Sequence, residues 1–217
     1  MLDAIQTLAD GLLFGAIYAL IGIGFTLVFG VMHKINMAYA AASLAGAYVG
    51  VVLLRLGALH PWLVIPLACV GGAALGLVVY WLCFKFIPLS HPLATLMSTV
   101  GMLLLIDEIV VHATAGMPVS YPTLVRGMLR FGEFSLRWDL IVCFFVAMAA
   151  MAALLHLLYR TRLGLATRAV SQQPVAAQLC GMSLGQVNAA TFTITGGLGG
   201  IAGALIGSAV GGPGVYR

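Results

Sequence analysis

The chain has 217 residues, 62% of them hydrophobic and only 7% charged, with a formal net charge of +4 and a mean hydropathy of +1.11. That composition leaves too little polar surface to cover a soluble globule of this length, so the chain is an integral membrane protein. Its ten Lys and Arg residues sit at the ends of apolar runs with no basic patch among them, which marks membrane topology and argues against nucleic acid.

The N-terminal stretch MLDAIQTLADG carries Asp3 and Asp10 and no basic residue ahead of the first apolar run. This is the wrong charge for a signal peptide, so the first run is read as a span. A helix crosses a hydrocarbon core of about 30 Å in roughly 20 residues. Six runs have that length: residues 11–31, 35–54, 61–84, 92–112, 138–159 and 187–211. The predicted fold is therefore all-α, a polytopic transmembrane helical bundle of about six spans in one domain, residues 1–217.

Between the first two spans residues 32–34 form a very short turn, followed at once by Asn36. Two readings stand: a discontinuous element whose freed backbone groups line a pathway, or a cap on the second span with one interhelical hydrogen bond. Small residues pace the spans at four-residue intervals, Gly11 and Gly15, Gly46 and Gly50, Gly72 and Gly76, then Gly199, Gly203 and Gly207. Such spacing lets helix backbones approach closely where lipid supplies no hydrophobic drive. Asp107 and Glu108 lie late in the fourth run, roughly 20 Å along a helix from Pro92 at 1.5 Å per residue. Charges within a span are candidates for function, including proton relay, but this depth favours an interfacial or cavity-lining place, with His112 four residues beyond Glu108 as a partner.

The connection 113–137 holds Pro118, Pro122, Gly127 and Gly132, and its tail MLRFGEFSLRW alternates around a Gly-Glu turn. A short hairpin or irregular cap on one face of the bundle is expected, where a binding protein could rest or which simply covers the helix ends. Cys69, Cys83, Cys143 and Cys180 are isolated, without disulfide or metal spacing, and read as packing residues. A glycine run at residues 197–202 fits a dinucleotide fingerprint in letters only, since no strand precedes it and no acid follows. No phosphate-binding loop and no nucleophile-base spacing are present, so the chain is read as no enzyme, with no cofactor and no metal.

The stretch 159–192 stands apart as polar and basic. Arg160, Arg162 and Arg168 close an apolar run with no acid among them, the pattern of a cytoplasmic loop. Alternation then puts the N-terminus outside, Lys34 and Lys85 inside, and Arg126, Arg130 and Arg137 outside. A short helix is expected from a cap near Ser171, with Pro174 in its first turn, to Gly181. On it Val175 and Leu179 share a face, and Ala176, Ala177 and Cys180 keep the surface small, which suits a groove on another protein. Ser183 caps the next helix at Leu184.

These residues resemble the ATPase-coupling loop of ABC importer permeases of the branched-chain amino acid type, the LivH-type family. The shared pattern is Arg160-Thr161-Arg162-Leu163-Gly164, then Arg168-Ala169-Val170, then Ala176-Ala177 and Gly181-Met182. A second likeness covers residues 15–48, including the Ile-Asn-x-Ala step at residues 35–38, although Tyr39-Ala40 stands where the family has His-Gly. The resemblance implies an inner-membrane importer subunit for branched-chain or other small amino acids, with urea and short amides as related solutes. It implies a coupling loop over residues 160–186 that includes Pro174, Ala176, Ala177 and Gly181. It also implies cytoplasmic ATP-binding subunits, a second permease subunit and an extracytoplasmic solute-binding protein as partners. A pathway nearly free of charge would meet a zwitterion through neutral groups such as Asn36, Tyr39, Thr95, Ser98 and Thr99. An ion-gradient-driven carrier or channel using Asp107 and Glu108, and a membrane scaffold without transport, are the alternative readings. The family continues past the loop with further spans. The chain is therefore expected to be a truncated product or a shortened permease, with the glycine face of residues 196–207 left against lipid unless a partner covers it.

Overall fold

The computed structural model describes residues 2–57, 60–87, 92–117, 119, 121, 122, 124, 125, 127–131 and 134–210. Expectations that fall on Pro118, Arg126, Gly132 or residues 211–217 lie outside the described residues. In hydrocarbon every backbone N–H and C=O must be satisfied within its own segment, and the apolar runs accordingly form long helices. They are α1 (Leu2–Met32), α2 (Ala38–Leu56), α3 (Val64–Val79), α4 (Pro92–Thr114), α5 (Trp138–Arg160), α6 (Arg162–Gln172), α7 (Pro174–Leu179) and α8 (Leu184–Val210). Six of them hold spans long and apolar enough to cross a membrane: Gln6–Met32, Ala38–Leu56, Pro61–Phe84, Leu93–Thr114, Trp138–Arg160 and Leu184–Val210. The expected spans are met to within a few residues, except that the acidic N-terminal stretch is already helix. The connection before α5 forms an antiparallel hairpin, β1 (Met128–Phe131) with β2 (Phe134–Arg137), Phe131 pairing with Phe134.

The bundle is built around α8, whose apolar window is 61% buried against 22–50% for the other spans. Its glycines carry the packing. A side chain on Gly72 would strike the Gly196 carbonyl and lie 2.9 Å from the Gly200 Cα, and one on Gly46 would lie 2.8 Å from the Gly72 Cα. Thus α2, α3 and α8 meet backbone to backbone. This corrects one expectation: the glycine face of α8 is not left to lipid but is the centre of the fold, because Gly196, Gly199, Gly200 and Gly203 all pack on α2 or α3. It corrects a second in part. Gly11 and Gly15 share the spacing but have nothing within 4 Å of an added Cβ, so their repeat does not pack within this chain.

Near its loop-side end α3 widens into a π turn over Tyr80–Phe84, with the Lys85 N–H donating to the Tyr80 carbonyl at 3.0 Å. The wider turn lets two rings close on Phe192 of α8, Tyr80 at 5.5 Å and Phe84 at 4.7 Å between centroids, within the range for aromatic pairs. At the opposite end Tyr121 reaches back into the bundle, donating to the Ala47 carbonyl at 3.3 Å and lying against Gly207. The Arg137 guanidinium meets the buried Asp139 carboxylate at 3.4 Å, tying the hairpin to the first turn of α5. Of the cysteines, Cys83 and Cys143 are buried and Cys69 half-buried, whereas Cys180 is exposed.

Because overpacking costs about 1–3 kcal/mol even in adaptable cores, Gly72→Leu or Gly200→Val should lower the thermal midpoint of the purified protein by several degrees. Gly15→Val, at a position with open space around it, should leave the midpoint within a degree or two.

Candidate functional site

The loop 160–186 is helical from its first residue. Thr161 ends α5 and caps α6: its hydroxyl donates to the Leu157 carbonyl at 2.6 Å and accepts from the Gly164 N–H at 3.1 Å. Gly164 is required there, since a Cβ would strike the Leu157 and Leu158 carbonyls. The Arg-Thr-Arg-x-Gly pattern is thus a tight corner, with Arg160 and Arg162 turned outward. The corner overturns the expected helix start. Ser171 lies in the last turn of α6, donating to the Arg168 carbonyl at 2.8 Å, and it caps nothing. The break comes two residues later at Gln173 (φ −147°, ψ 87°), because the residue before a proline is driven out of the helical region.

Pro174 then opens α7, which ends as expected. Gly181 has φ +82°, and the Met182 N–H donates to the Ala177 carbonyl at 3.0 Å and the Gly181 N–H to the Gln178 carbonyl at 2.9 Å, a Schellman closure. The orientation of α7 departs from the expected one. Ala177 is buried, against Val31 of α1, Val170 of α6 and Val187 of α8. Pro174, Ala176 and Cys180 are exposed, and Val175 and Leu179 stand out at 69% and 85% exposure. The small inner side seats α7 on the bundle, and the apolar outer side is free.

The break between α1 and α2 lies beneath this loop. His33 takes a left-handed φ of 53°, a conformation that costs a non-glycine residue roughly 1–2 kcal/mol, and its ring donates to the Ser171 carbonyl at 3.2 Å. Lys34 is buried and donates to the Thr95 hydroxyl at 2.9 Å. The Thr99 hydroxyl accepts from the Met37 N–H at 3.4 Å and donates to the Leu96 carbonyl at 2.9 Å. Asn36, also buried, lies one residue ahead of the Met37 N-cap position, and its amide oxygen accepts the first helical N–H of α2, that of Ala38, at 3.1 Å. The structure therefore gathers Asn36, Thr95 and Thr99 around one feature and engages their polar groups in holding it. Ser98 contributes its carbonyl to the Cys83 thiol at 3.6 Å. Tyr39 differs: it is buried between α1 and α8, its ring 6.4 Å from that of Phe25, its hydroxyl filling the space left by Gly24 and having no hydrogen-bond partner.

A cavity of about 330 Å³ joins the break to the loop, lined by His33, Lys34, Tyr80, Pro174, Gly185 and Asn188 among others. The Tyr80 hydroxyl donates to the Gly185 carbonyl at 3.1 Å, and Asn188 Oδ1 is buried without a partner. Neither Lys34 nor Asn188 stood out in the sequence as a site residue. Lys34 reads in the sequence as a topology signal, and Asn188 as one of several polar residues of α8 beside Gln186, Thr191 and Thr193. At the far end of α4 the pair expected of Glu108 and His112 is present at 3.0 Å, with both side chains largely exposed, and Asp107 is exposed as well.

Fold and site together define a polytopic membrane protein with a paired-helix loop seated across one end of its spans. The family model for the permease component of branched-chain amino acid transport systems matches residues 7–214, and the chain belongs to that family. It is 28% identical over 216 residues to the high-affinity branched-chain amino acid transport system permease protein BraD of Pseudomonas aeruginosa, a match covering 94% of this chain and 70% of BraD. LivH of Escherichia coli K12 gives the same figures. The probable LivH protein of Methanocaldococcus jannaschii is 27% identical over 207 residues, covering 92% of this chain and 65% of its own.

Burial lowers the Lys34 ammonium from its ordinary value of 10.5. Between the lowered value and 10.5 the unfolded chain binds the proton more tightly, so stability should rise as pH increases through that window. Thermal midpoints measured as the pH is raised toward 10.5 should climb for the wild-type chain and lose that slope in Lys34→Met.

Proposed function

We propose that this permease is the transmembrane subunit of an ABC importer, moving branched-chain or other small amino acids inward across the inner membrane under ATP hydrolysis by cytoplasmic partner subunits. The observation that carries the reading is the outer side of α7. Two large apolar side chains, Val175 and Leu179, stand at i and i+4 outside the spans, and such a pair is the anchor pattern of a helix that enters a groove. An ATP-binding subunit supplies that groove. The inner side of the same helix rests on the ends of α1 and α8 through Ala177, so a push on α7 is delivered to the two helices that flank Tyr39.

In this reading residues 160–186 are cytoplasmic and the hairpin β1–β2 faces the opposite side, where a solute-binding protein delivers its cargo. A second permease subunit completes the path. The relatives named for high-affinity branched-chain amino acid transport support an aliphatic amino acid as cargo, with urea and short amides as related solutes. The unpartnered Tyr39 hydroxyl is the group on α2 placed to meet it when the helices part. Asn36, Thr95, Ser98 and Thr99 act beside it by holding the break from which α2 starts.

The two sides of α7 separate docking from coupling. Leu179→Glu should leave the permease folded and abolish co-purification of the ATP-binding subunit. Gly181→Val imposes about 1–3 kcal/mol of backbone strain on the closure of α7, so it should keep the subunit bound and cut uptake several-fold. Normal uptake by both variants with the ATPase still attached would remove the loop from the mechanism.

A further inference from the structure

We propose that a trough between α1 and α5 seats an acyl chain of an anionic phospholipid from the loop-side leaflet, with its phosphate held at Arg168. The trough has a volume of about 510 Å³, is open along one side and follows α1 from Ala19 to Val31, with Leu154, Leu155 and Leu158 of α5 as its opposite wall. The twelve helical steps from Ala19 to Val31 span about 18 Å, close to the roughly 15 Å of hydrocarbon that one leaflet supplies. Its length and apolar walls match a single acyl chain that ends at a charged mouth. Gly22 and Gly30 keep the trough open, since a Cβ on either would meet nothing within 4 Å.

The loop-side mouth has the complementary chemistry. Thr167, Arg168 and Ser171 border it, and the Arg168 guanidinium lies 5.0 Å from the centroid of the Tyr159 ring. Arg168 Nε is buried and has no hydrogen-bond partner. Residues 159–192 contain no acid, so nothing in the loop itself neutralises this cation. The Arg168 side chain as a whole is only half-buried at the mouth, so a phosphate diester at the membrane surface can approach its guanidinium and supply the countercharge that the loop lacks. The hydroxyls of Thr167 and Ser171 donate within their own helix, to Leu163 and Arg168 carbonyls, so the specificity for an anion falls to Arg168. The proposal needs only a membrane-spanning chain and is independent of any coupling role for the loop.

The test is native mass spectrometry of the full-length chain purified in detergent, with dioleoyl phosphatidylglycerol or dioleoyl phosphatidylcholine added. The wild-type protein should retain the anionic lipid about tenfold more tightly than the zwitterionic one. Arg168→Gln should erase that preference. Gly22→Leu and Gly30→Leu, which fill the trough and leave the charge in place, should each lower retention of phosphatidylglycerol at least fivefold. Equal retention of the two lipids by the wild-type chain would overturn the proposal. So would undiminished phosphatidylglycerol binding in both filled variants, which would place the phosphate on the basic rim without its chain in the trough.

Discussion

The rest of the structure depends on one close approach, that of the α3 and α8 backbones at Gly72, Gly76, Gly196 and Gly200. Lipid is as apolar as the helices it surrounds, so association in the membrane relies on van der Waals packing rather than on burial of oil from water. Glycines give that packing its greatest extent, because nothing separates the two main chains. Once α3 and α8 are locked, α2 closes on both through Gly46 and Gly50, and α1 and α5 lie against α8. The fourth helix packs chiefly on α2 and carries exposed charges at Asp107 and Glu108.

A rigid centre gives the loop something to act on. Because α8 is both the hub of the bundle and the continuation of the loop, the proposed coupling would carry a displacement at α7 into the core through the four residues 180–183 that join α7 to α8. The second route is His33, whose strained backbone and contact to Ser171 join the end of α1 to the same loop. Strain of this kind persists where the surroundings over-determine a residue, and it concentrates at functional elements. Here it sits where a buried lysine, a buried asparagine and two buried threonines hold the start of α2.

Much of this was legible in the sequence. Spans follow from length and hydropathy alone, and Gly181 and Pro174 mark helix ends by stereochemistry that no packing overrides. The polar character of Asn36, Thr95 and Thr99 is plain in the sequence, but residue type alone does not show that Asn36 accepts from the Ala38 N–H, Thr95 from the Lys34 ammonium and Thr99 from the Met37 N–H. What the sequence withheld depended on rotation about a helix axis. Gly11 and Gly15 share the spacing of Gly72 and Gly76 and yet face outward, and Ala177 was expected on the docking side but lies on the seat. Thr161 caps α6 directly behind the end of α5, and with this single residue between the two helices the sequence pattern shows a helix start only near Ser171 and Pro174.

The His33 contact to Ser171 clamps the loop to the break between α1 and α2. Cysteines at positions 33 and 171, in a chain whose four native cysteines have been replaced, report on that clamp when membranes are treated with a short bifunctional thiol reagent. Efficient cross-linking is expected, with both thiols shielded from an impermeant reagent added outside intact cells. Failure to cross-link, with position 171 labelled from outside, would contradict it.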